Sequence, residues 1–142
     1  MMNDESYAVV DPAMLLESFD EPIVIHRSFL RIVGSVNAAL LLTWLVDVAQ
    51  VQDEQSGGWV SLTQADWEAQ TGLSRYEQET ARRVLRERGL ITERRVGMPA
   101  RLEMKLNARN LADQMRELGR ARYGAYLAER ENFMHAGGSV TR

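Results

Sequence analysis

Between Arg75 and Lys105 nine basic side chains stand against five acids, a local surplus of +4 inside a chain whose net charge is −3. Arg75, Gln78, Glu79, Arg82, Arg83 and Arg86 recur at the three- and four-residue intervals that place side chains on one face of a helix. Arg94, Arg95 and Arg101 then bracket Gly97-Met-Pro-Ala100, a stretch with turn chemistry. Guanidinium groups set along a helix and around a turn suit phosphate oxygens and guanine edges. That is binding chemistry rather than bond-making chemistry. The sequence holds no Gly-rich phosphate loop, metal-ligand cluster or nucleophile elbow, so neither catalysis nor a cofactor is expected.

Composition narrows the classes further. With 45% apolar and 26% charged residues, the 142-residue chain has the balance of a soluble domain able to bury a core. The absence of cysteine excludes disulfides and thiolate metal sites. His26 and His135 each lack neighbouring ligands and read as packing or surface residues. An acidic overall charge argues against nonspecific coating of DNA, whereas a confined basic stretch favours one DNA-facing surface. The acidic start, Met-Met-Asn-Asp-Glu-Ser6, lacks a secretion pattern, and a cytoplasmic location is expected.

The elements that must position the arginines follow from local signals. Thr63 caps a short helix ending at Gly72, and Ser74 caps a second one, with Glu77 three residues on completing a capping box. Leu73, Tyr76, Thr80, Ala81, Val84 and Leu85 form the second helix's expected inward face. Gly89 stops it, and Leu90–Val96 and Arg101–Leu106 read as paired strands. Helix, tight turn, arginine-bearing helix and β-hairpin, in that order, is the layout of a winged helix–turn–helix. On that layout Arg75, Gln78 and Glu79 are expected to contact bases. Arg82, Arg83, Arg86, Arg94, Arg95 and Arg101 are expected to contact the DNA backbone. The bland counter-reading is a solvated helix face laced by pairs such as Glu79–Arg83 and Gln78–Arg82.

The remaining segments read as support. Residues 1–21 are an acidic, partly mobile arm without a base, in which Asp11 and Pro12 start a short helical stretch. Pro22–Val33 has a β-branched first part suited to a strand, and a second part equally able to form a helical turn ending at Gly34. Ser35 caps a helix over Val36–Gln52 that is apolar nearly all round, either a core helix or a dimer surface. It is too short and too punctuated for a membrane span. Trp59–Leu62 alternates as a short strand. Asn107 caps a helix from Ala108 to about Glu131, a dimerisation candidate in which Gly119 and Gly124 leave room for a bend or break. Residues 132–142 read as a flexible tail.

Two stretches carry a resemblance. Gly34-Ser-Val-Asn-Ala-Ala-Leu-Leu-Leu and Thr71-Gly-Leu-Ser-Arg-Tyr-Glu-Gln-Glu-Thr-Ala-Arg-Arg-Val-Leu-Arg-Glu-Arg-Gly-Leu-Ile, followed by Gly97-Met-Pro-Ala-Arg, resemble winged helix–turn–helix DNA-binding proteins of bacteriophages and mobile elements. The resemblance spans roughly residues 22–107. It implies a replication-associated or regulatory DNA-binding role, and many such proteins carry an aromatic residue where Val48 or Ala49 lies. The long last helix is similar in architecture to that of dimeric multiple-antibiotic-resistance-type repressors. The resulting expectation is a mainly α fold with a small β-hairpin wing (α+β) and extra N- and C-terminal helices. Its partners would be double-stranded DNA and a second copy of the chain, with no membrane. The alternative is a protein-interaction module, a scaffold or antagonist of a host protein, and a host or replication protein is a further candidate partner.

Overall fold

A helix apolar on most of its circumference has to be enclosed by its own chain or by another. Here its own chain encloses the middle of it. The computed structural model describes residues 10–51 and 54–135. In chain order the helices are α1 (Pro12–Phe19), α2 (Arg27–Val33), α3 (Val36–Val51), α4 (Gln64–Thr71), α5 (Arg75–Glu87) and α6 (Ala108–His135). The strands are β1 (Trp59–Val60), β2 (Ile91–Val96) and β3 (Arg101–Leu106). The protein is mainly helical, with one three-stranded antiparallel sheet in the order β1-β3-β2.

Every residue of α3 from Ala38 to Thr43, and Leu45 after them, is buried. Around this helix pack Phe29, Ile32 and Val33 of α2, Trp67 of α4, Ala81 and Leu85 of α5, and Val60, Ile91 and Met104 of the sheet. Burying each large aliphatic side chain stabilises the fold by about 1.5–3 kcal/mol, so the core favours an arrangement that keeps all these elements around α3. Of the two expectations for this helix, core and dimer surface, its centre meets the first. Val36 and Val51, near its ends, are exposed.

The sheet holds the hairpin in register. Ile91 faces Leu106 and Val96 faces Arg101 at the two ends of the β2–β3 pair, while Trp59 faces Lys105 across β1 and β3. The four residues Gly97–Ala100 turn the chain outside this ladder, with Gly97 at φ 85° and a cis Met98–Pro99 peptide.

Several expectations need correction. Pro22–His26 forms no strand: the His26 backbone N–H donates to Thr43 Oγ1 at 3.2 Å, so this extended segment lies along α3 without a strand partner. The second part of that stretch is the helix α2, closed by Gly34 in the left-handed conformation. α6 runs unbroken through Gly119 and Gly124 to His135, four residues past its expected end. Asn107 does start it, accepting from Asn110 N–H at 3.2 Å. The acidic arm's first nine residues and the tail beyond His135 lie outside the described residues.

Candidate nucleic-acid interface

The geometry of the α4–α5 corner is set by side chains that satisfy helix ends. Thr63 Oγ1 accepts from the Asp66 N–H at 3.1 Å and Asp66 Oδ2 accepts from the Thr63 N–H at 3.0 Å. Ser74 and Glu77 repeat the arrangement at the start of α5, at 3.2 and 3.0 Å. These hydrogen bonds hold both carboxyls below their usual range: Thr63's side chain and then its backbone act on Asp66, and Ser74's backbone and then its side chain act on Glu77. Asn37 of α3 also donates to Glu77 Oε2, at 3.4 Å, tying this cap to the core helix. Between the helices Gly72 takes φ 74°, and Leu73 turns into the core.

Gln78, expected to contact a base, does something else. It is 1% exposed, and its Nε2 donates to the carbonyls of Gln64 at 3.1 Å and Leu73 at 2.9 Å. Both amide hydrogens are spent on bridging α5 to the start of α4 and to the turn between the helices, so Gln78 is withdrawn from the exposed face of α5. Arg82 is withdrawn too: it is 8% exposed, with Nε 3.1 Å from Glu93 Oε1 on β2. The same carboxylate oxygen lies 2.7 Å from Arg86 Nη1, and Arg94 Nε lies 2.8 Å from Glu103 Oε1. Arg86 and Arg94 nevertheless keep 41% and 45% of their side-chain surface exposed. Among the described residues the ion pairs of α5 therefore run from helix to hairpin, and Arg94–Glu103 runs across the hairpin; the expected side-chain pairs Glu79–Arg83 and Gln78–Arg82 along α5 do not form.

Arg75, Glu79, Arg83, Arg95 and Arg101 are all exposed, and among the described residues none of them forms an ion pair. Tyr76, expected to pack inward, is 76% exposed and joins Arg75, Glu79 and Arg83 on the outer face of α5. Beside that face an open cleft of about 530 Å³ separates the start of α4 and the inner side of α5 from the hairpin. Arg75, Arg95 and Arg101 line it, with Arg82 also in its wall and the first turn of α4 contributing Thr63, Gln64 and Ala65. Among the described residues no acidic side chain lines it. Three guanidiniums that form no ion pair among the described residues share one concavity, an arrangement that attracts anions.

The outer side of the sheet is more self-contained. Arg94 stacks its guanidinium 4.1 Å from the centre of the Trp59 ring while pairing with Glu103, and Lys105 approaches the same ring at 5.9 Å. Trp59 is a platform for these cations. Among the described residues no group of three His, Asp or Glu side chains is placed to hold a metal ion. His26 turns its ring edge-on to Phe29 at 5.1 Å, a packing contact.

Sequence reasoning missed Tyr76 and the contribution of α4's first turn. The capping box at Thr63 marked where that turn begins, but its proximity to Arg95 and Arg101 depends on the fold. No helix among the described residues is long and apolar enough to cross a membrane. Compared with family models, curated proteins and solved structures, the chain finds no match.

Proposed function

We propose that this chain is a winged helix–turn–helix protein that binds double-stranded DNA in a sequence-dependent way. In this reading α4 and α5 are the helix pair, α5 enters the major groove, and β2–β3 is the wing. The observation that carries it is the cleft between α5 and the hairpin, lined among the described residues by no acid and by three arginines outside any ion pair, Arg75, Arg95 and Arg101. Such a concavity next to an exposed helix face fits a polyanion that passes both at once.

Residues at the start of the second helix are those that meet base edges. Arg75 then suits guanine and Glu79 can accept from cytosine N4, with Tyr76 exposed between them. Arg83, Arg95 and Arg101 hold phosphates, and the half-exposed Arg86 and Arg94 add to the field. The proposed setting is transcriptional regulation or a replication accessory role of phage or mobile-element type, in the cytoplasm. The reading uses no cofactor and no catalytic step.

The reading includes a homodimer. From Arg120 to His135 every residue of α6 whose burial is described is exposed, including Tyr123, Tyr126 and Phe133. A helix with that apolar content gains by covering it with its symmetry mate. The second reading, an interaction module for a host or replication protein, draws on Met14, Leu16 and Phe19 of α1, a helix with no buried residue.

Selection of duplexes from a random pool by the purified full chain tests the proposal. An enriched motif whose preference relaxes at one position with Arg75→Ala, by about 1–3 kcal/mol, is the expected result. No retention of duplex at low salt contradicts it and favours the interaction module.

A further inference from the structure

The tip of the hairpin is chemically unlike its stems. Met98 is 100% exposed, and Gly97, Pro99 and Ala100 beside it are exposed as well. No polar side chain stands among these four residues, although hairpin turns ordinarily favour Asn, Asp and Ser. Immediately below this apolar tip stand two cations that form no ion pair among the described residues, Arg95 on β2 and Arg101 on β3. A lone exposed apolar residue needs no explanation. An apolar point carried on a stiff ladder between two arginines is a specific design.

We propose, resting on the DNA-binding reading above, that Met98 is a wedge that enters the minor groove, unstacks a base step and bends the duplex. The minor groove of B-DNA is about 6 Å wide, too narrow for a two-stranded ribbon but open to a single unbranched side chain carried on a turn whose neighbours are small. Methionine is unbranched and flexible, the shape needed to slide between stacked bases. Arg95 and Arg101 then meet the phosphates on either side of the groove and hold the hairpin tip against the opened step. The ladder below the tip supplies rigidity: β2 and β3 pair through six residues each, from Ile91–Leu106 to Val96–Arg101. Pyrimidine–purine steps unstack most easily, so the wedge selects TA or CA/TG at a position where no side chain reads a base edge.

The test uses the full chain and a mixed-sequence duplex of about 30 base pairs with a central TA step, labelled with a donor and an acceptor at its ends. Binding is followed by anisotropy and bending by energy transfer, with 2-aminopurine beside the TA step reporting unstacking. The native protein should raise energy transfer and brighten 2-aminopurine. Met98→Ala should bind within about tenfold of the native affinity, because phosphate contacts supply most of it, yet leave both signals at their free-duplex values. Met98 touches nothing in the core, so an unchanged melting temperature verifies the variant's fold. A duplex that is bound but unbent, or bent equally by Met98→Ala, overturns the wedge and leaves the DNA-binding reading standing. Absence of any duplex binding by the native protein overturns both.

Discussion

Arg82 of α5 and Glu93 of β2 form a buried pair, with Nε and Oε1 3.1 Å apart and side chains 9% and 17% exposed. This contact fixes the distance between the helix and the hairpin, and so the width of the cleft on which the DNA-binding reading rests. Removing one partner of such a pair leaves an uncompensated buried charge. Glu93→Ala is therefore expected to cost about 3 kcal/mol in chemical denaturation. Arg86→Ala, which removes an exposed contact to the same oxygen, should cost under about 1 kcal/mol. Equal losses for the two variants would mean that Arg82 is not held by this carboxylate.

Gln78 and Arg75 lie three residues apart on α5 and should give opposite phenotypes. Gln78→Ala strands the carbonyls of Gln64 and Leu73, and is expected to lower stability by about 1–3 kcal/mol without changing which DNA sequence is preferred. Arg75→Ala should leave the melting temperature unchanged and alter the preferred sequence. Thermal melts and duplex selection on both variants separate the roles.

The two capping boxes give a pH signature. Asp66 and Glu77 have native carboxyl values below their unfolded ones because Thr63 and Ser74 donate to the ionised forms. Their contribution is complete above the unfolded values of about 4 and is lost as pH falls through the lowered native values. Glu77→Gln should therefore be less stable than the native chain at neutral pH and show a smaller further loss between about pH 4.5 and 2. Parallel acid titrations followed by circular dichroism would show this, and superimposable curves would contradict it.

The dimer is tested at the far end of α6. At 28 residues this helix is about 42 Å long, and its second half projects beyond the core that holds Leu111. Tyr123 and Tyr126 stack on each other at 6.1 Å on that exposed part. Tyr123→Glu should shift sedimentation from dimer to monomer and leave the core's melting transition in place. A native chain that sediments as a monomer at high concentration would remove the dimer from the account.

What could be read from the sequence was whatever depends on neighbours a few residues away. The caps at Thr63, Ser74 and Asn107, the turn at Gly72 and the hairpin at 97–100 all belong to this kind. Gln78 and Arg82 escaped because their burial is decided at a distance, by the Gln64 carbonyl 14 residues back and by Glu93 11 residues ahead. A helical wheel places them beside Arg75 and Arg86 and cannot register that the start of α4 meets one and a strand meets the other. Tyr76 failed for the converse reason: its ring looked like core material, but the space beneath α5 was already filled by Ala81, Leu85 and Leu73. The β-branched run at Ile23–Ile25 suggested a strand, yet β-branching favours any extended backbone, and here that backbone lies against α3.

The central claim is that the free arginines of the cleft and of α5 face DNA. The most direct measurement is fluorescence anisotropy of a mixed-sequence duplex at low salt, followed across a salt series. The native chain is compared with a variant carrying Arg75→Ala, Arg95→Ala and Arg101→Ala together. The account predicts tight low-salt binding that weakens steeply with salt, and a salt slope reduced by about 2 in the variant, for the two phosphate contacts of Arg95 and Arg101, with its melting temperature preserved. Native binding that the triple variant reproduces in affinity and slope, or no native binding at all, would contradict it.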